Sequence, residues 1–99
     1  MMEKEMLALV KLKEGEENFS KFMAFMQSEE GMTERGKFAI PPKTIAAVTP
    51  DKGAVMFKVF VTDEDGMKSF VSGENVSMKP IYDECIESSQ LWDLSEVIL

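Results

Sequence analysis

The 99-residue chain has no histidine and one cysteine, so any chemistry must come from carboxylates, ten lysines, a single arginine, and hydroxyl or amide groups. Lack of histidine removes the commonest general base and metal ligand, which excludes serine–histidine–aspartate triads and histidine-based zinc sites. Cys85 needs a neighbouring base to become a nucleophile, and none stands near it in sequence; it reads as a buried structural thiol. Asp63-Glu64-Asp65-Gly66 offers the oxygen ligands that calcium takes, but the twelve-residue spacing ending in a bidentate glutamate is missing. Those carboxylates follow Thr62 and suit the first turn of a helix, with Thr62 and Asp65 as a capping box. No metal and no cofactor is implied.

Other residues suit the binding of a small molecule better than its conversion. Seven internal methionines, Met6, Met23, Met26, Met32, Met56, Met67 and Met78, exceed what filling a small core requires. With phenylalanines such as Phe60 they could wall a pliable pocket for a long or flat hydrophobic ligand, as an alternative to an adaptable core. Arg35 and Lys37 could hold its anionic head while Phe38 and Ile40 act as a lid; the bland alternative is a solvated basic loop. Lys58 is the one charge in AVMFKVFV, residues 54 to 61. It must reach solvent, pair with Asp93 or Glu96, or anchor the anionic end of a ligand. Tyr82, Trp92 and Asn18 are types that can hold an aromatic substrate, although nothing in their spacing demands it and core or interface packing is the plainer reading. The candidate ligand-binding set is therefore Lys58, Arg35, Met23, Met56, Phe60, Tyr82 and Trp92, with no catalytic residue assigned.

The elements that must position these residues follow from periodicity. EMLALVKL, residues 5 to 12, reads as a strand. GEENFSKFMAFMQSEEG, residues 15 to 31, reads as a helix with Phe19, Phe22, Met23 and Met26 on one stripe, ended at Gly31 by a left-handed cap. Residues 32 to 42 form a long connection whose double proline prevents helix and leads into an extended segment. TIAAVT, residues 44 to 49, and AVMFKVFV pair through the turn PDKG, residues 50 to 53. A helix runs from Asp63 towards Val71 and is interrupted at Gly73; a second helical piece spans about residues 75 to 88, and LWDLSEVIL, residues 91 to 99, returns to strand. The order βαββαβ with right-handed crossovers gives a ferredoxin-like α+β fold: a four-stranded antiparallel sheet, spatial order 4-1-3-2, both helices on one face, in one domain of residues 1 to 99.

Eighteen acidic residues against eleven basic ones give a net charge of −7, and no basic run is interleaved with aromatics, so nucleic acid is not an expected partner. The longest apolar run near the start, Met6 to Val10, is too short for a signal peptide or a membrane span. That run and the lone cysteine suggest a cytoplasmic protein without membrane association. Asn75-Val76-Ser77 is only formally a glycosylation sequon in that setting.

Strand AVMFKVFV is apolar on both sides, Val55, Phe57, Val59 and Val61 on one, Ala54, Met56 and Phe60 on the other, and two helices can cover only one. A second copy covering the free face implies a homodimer. The βαββαβ order, the length, the long helix-to-strand connection and the apolar free face resemble the dimeric ferredoxin-like (dimeric α+β barrel) superfamily. The ending VSMKPIYDECIESSQLWDLSEVIL is similar to small marine microbial proteins of unassigned function. The resemblance implies pockets between sheet and helices. It also implies a choice among cofactor-free monooxygenases of antibiotic biosynthesis, isomerases, haem-degrading and dye-decolourising enzymes, and small-ligand sensors; lack of histidine disfavours the haem-linked members. The expected function is a homodimeric domain binding a small hydrophobic, carboxylated, fatty-acid-like ligand. The alternatives are a cofactor-independent monooxygenase or isomerase, and an assembly module without ligand.

Overall fold

The computed structural model describes residues 4–95, 97 and 98. Four strands, β1 (Lys4–Leu12), β2 (Ile45–Val48), β3 (Ala54–Val61) and β4 (Ile86–Asp93), form one antiparallel sheet in the order β2-β3-β1-β4, the ferredoxin-like order expected. β1 and β3 occupy the centre because they alone are apolar on both faces. Their inward residues Met6, Ala8, Val10, Leu12, Val55, Phe57, Val59 and Val61 are all buried under the helices. β2 lies at one edge with every residue exposed, a place its short sequence tolerates.

The helical layer differs from expectation at three points. The first helix is two: α1 (Glu16–Gln27) and α2 (Glu29–Gly36) meet at Ser28, whose backbone is extended (ψ 162°). The Ser28 hydroxyl donates to the Phe25 carbonyl (2.6 Å) and accepts from the Gly31 amide (3.0 Å), so it closes one helix and caps the next. Gly31 is therefore not a left-handed cap. It sits inside α2 because a Cβ there would stand 2.0 Å from the Phe25 carbonyl oxygen. Half of the expected long connection is thus helix, and the double proline starts a single 3-10 turn, Pro41–Lys43, ahead of β2.

Second, α3 (Glu64–Ser72) is capped by Asp63, whose carboxylate accepts from the Gly66 amide (3.2 Å), one residue later than the Thr62 capping box would place it. Gly73 ends it in the left-handed region (φ 83°) as the sequence suggested, with the Tyr82 ring packed where a Cβ would project. Third, α4 (Lys79–Cys85) stops at Cys85, and β4 begins at Ile86, five residues before the expected strand. Residues 86 to 88 read as helix because Ile81, Cys85 and Ile86 share a helical spacing. Pairing with β1 wins, Val10 opposite Ser89 and Leu12 opposite Ile86. Among the described residues no helix is long and apolar enough to cross a membrane.

Candidate functional site

The core between sheet and helices is closed by aromatic packing, Phe22 edge-on to Phe57 (centroids 6.0 Å apart) and Phe38 tilted against Phe70 (5.1 Å). Within it lies a cavity of about 30 Å3, room for a couple of waters. Its walls are Ala8, Val10, Phe57 and Val59 from the sheet, Phe22 and Met26 from α1, Phe38, Ala39, Pro41 and Thr44 from the crossover, and Met67, Phe70, Val71 and Met78 from the second helical half. The one charged residue lining it is Arg35.

Arg35 lies in the last turn of α2, not in a loop, and the break at Ser28 is what aims it back over α1. Its Nη2 donates to the Met26 carbonyl (3.0 Å) and touches the Met32 Sδ (2.7 Å). Its Nε is buried and has no hydrogen-bond partner among the described residues. Among the described residues no carboxylate pairs with it; the adjacent Glu34 turns away to Asn75 Nδ2 (3.0 Å) and Lys37 Nζ (3.0 Å). Burial pushes the guanidinium pKa down from its ordinary value, the sign of a cation held partly out of water without a counter-charge. An orphaned donor of this kind costs about 1–3 kcal/mol, a cost a bound anion would remove.

The other candidates do not converge on this cavity. Lys58, Met56, Phe60 and Trp92 point to the opposite, helix-free face, where Leu7 is flanked by Lys58 on β3 and Trp92 on β4. There the Lys58 ammonium pairs with Glu5 across the strands (2.5 Å), not with Asp93, which lies on the helix side and pairs with Lys4 (3.1 Å). Glu96, the other expected partner, lies outside the described residues. Met23 is half-buried on α1. Tyr82 packs beneath α3, its hydroxyl 3.0 Å from the Ser89 hydroxyl, which in turn donates to the Val71 carbonyl (2.6 Å). Asn18 is buried and ties down the β1–α1 loop by donating to the Lys13 and Glu14 carbonyls (3.1 and 2.9 Å). Phe38 is a cavity wall and Ile40 does not line it, so the pair forms no lid. Lys37 is exposed and engaged with Glu34.

Cys85 is fully buried, and that burial, reinforced by the charge of Glu84, raises its thiol pKa, the opposite of what a nucleophile needs. Among the described residues no group of three or more acidic or sulfur ligands could hold a metal ion. Sequence reasoning named Met67 among the wall methionines but missed Phe70 and Val71 of α3, although the apolar spacing i, i+3, i+4 marks that helix face plainly.

The fold is similar to two solved structures. One is described as an antibiotic biosynthesis monooxygenase from Bacteroides thetaiotaomicron, 15% identical, covering 98% of this chain and 91% of that one with a TM-score of 0.58. The other is a protein of Shewanella oneidensis, 18% identical, covering 91% and 86%, with a TM-score of 0.55. No family model and no curated protein sequence matches the chain, so the similarity to marine microbial proteins finds no support.

Proposed function

We propose that this protein is a homodimeric, single-domain binder of a small hydrophobic carboxylate, held in the cavity between sheet and helices with its anionic end on Arg35. The observation that carries this reading is the buried Arg35 Nε, left without a partner at the wall of an otherwise apolar cavity. A carboxylate satisfies a guanidinium edge with two parallel hydrogen bonds, and nothing else in the lining can supply a counter-charge. Met26, Met67 and Met78 in the walls can re-pack around an acyl chain larger than the cavity itself. Calorimetric titration with octanoate and with octanol tests it: octanoate should bind and octanol should bind far more weakly. Equal affinities for the two would remove Arg35 from the reading.

The dimer rests on the helix-free face. Ile45 (61% exposed), Met56 (36%) and Trp92 (44%) stand there beside half-buried Leu7, Leu9 and Phe60, a contiguous apolar surface of the kind that marks an association face. Two-fold pairing of this face covers both copies at once. Partners are then a second copy and a small ligand, with neither nucleic acid nor membrane, in a cytoplasmic setting that suits a free, buried thiol.

The second reading, a cofactor-independent monooxygenase, is favoured by the fold shared with the Bacteroides protein. The cavity walls offer such a reaction no carboxylate, thiol or phenol to take a proton. Oxygen consumption with an anthrone-type substrate separates the two.

A further inference from the structure

We infer that Met32 is an oxidation site that closes the Arg35 anion site, an inference that rests on the binding reading above. Met32 is 42% exposed, whereas the methionines in the core, Met6, Met26, Met67 and Met78, are 2–6% exposed. Among the described residues Met56 is the other exposed methionine, and it lies across the sheet on the helix-free face. Met32 stands one turn before Arg35 on α2, so its side chain covers the same helix face, and its Sδ lies 2.7 Å from the Arg35 Nη2. A thioether is a weak acceptor, which a carboxylate displaces easily.

Peroxide changes that balance. Its O–O bond breaks, one oxygen bonds to the Met32 sulfur, the sulfur gives up two electrons, and the other oxygen leaves as water. The product, a sulfoxide, is polar and carries a strong acceptor oxygen on a side chain with three rotatable bonds. That oxygen takes the place of the sulfur against Nη2 and holds one of the two N–H groups that a ligand carboxylate requires. The site is then filled from within the chain, and methionine sulfoxide reductase reopens it.

The test uses the whole protein before and after limited hydrogen peroxide treatment, with oxidation located by peptide mass, and follows two readouts. Octanoate affinity should fall about tenfold on oxidation of Met32 and recover with the reductase, while Met32→Leu should bind like the untreated protein before and after peroxide. Independently of any ligand, the Arg35 Nε–H resonance should shift on oxidation of the wild type and not of Met32→Leu. An unchanged resonance, or an equal loss of affinity in Met32→Leu, overturns the inference. If untreated protein does not bind octanoate while the resonance still shifts, the contact switch stands and the anion-binding reading falls instead.

Discussion

Replacing Arg35 by methionine separates binding from stability in opposite directions. In the free protein the substitution removes an orphaned buried donor, worth about 1–3 kcal/mol, and the desolvation of a half-buried cation. Against this stands the lost bond from Nη2 to the Met26 carbonyl, a charged-donor interaction of about 1.5–3 kcal/mol. The two nearly cancel, and methionine keeps most of the volume, so thermal unfolding should move by no more than about 1 kcal/mol either way. Binding has no such offset. Removing one partner of a desolvated charge pair costs about 2–5 kcal/mol, so octanoate affinity should fall roughly 30-fold or more, at 1.4 kcal/mol per factor of ten. Octanol affinity should barely change. Calorimetry and thermal melts on the same preparations give both quantities. A variant that binds octanoate as well as wild type, or one destabilised by more than about 3 kcal/mol, would refute the reasoning, because Arg35 would then be a structural strut.

Light scattering should give twice the 11.2 kDa chain mass, about 22 kDa, and Phe60→Glu should dissociate or unfold the protein; a monomer at micromolar concentration removes the dimer. Lys58→Met should leave octanoate binding unchanged, because Lys58 pairs with Glu5 on the sheet face opposite the cavity, but it should weaken the dimer in light scattering, since Glu5 then loses its partner in the covered face. Gly31→Ala should destabilise by at least about 2 kcal/mol in denaturant titration, because its Cβ would meet the Phe25 carbonyl oxygen, a backbone atom that cannot swing aside. Glu34 is held below the usual carboxylate range, first by Asn75 and then by Lys37, so it stabilises the fold above that range and the contribution is lost as pH falls through its folded value. Glu34→Gln should therefore flatten the acid side of the stability–pH curve and leave the alkaline side alone.

Alternation alone determined which strands are central, for β1 and β3 are apolar on both faces and only a central, doubly covered position accepts that. It agreed with the sheet order that the βαββαβ connectivity gives and marked the helix-free face as apolar, since a period of two assigns each side chain to a face without any knowledge of its neighbours. The same logic separated Met56, Lys58 and Phe60 from Val55, Phe57 and Val59. It did not reveal that Arg35 lies on the far side of the sheet from Lys58, because no period links residues 35 and 58. Where α1 ends was decided by Ser28, a residue with two plausible roles, and by a glycine fitted against a carbonyl that only the folded chain brings near. Likewise β4 starts at Ile86 because β1 offers an open edge there, a long-range pairing that overrides the helical spacing of Ile81, Cys85 and Ile86. The cavity and the unpaired guanidinium exist only once five segments of the chain meet. Local sequence sets what each segment prefers, and tertiary contact sets which donor is left without an acceptor.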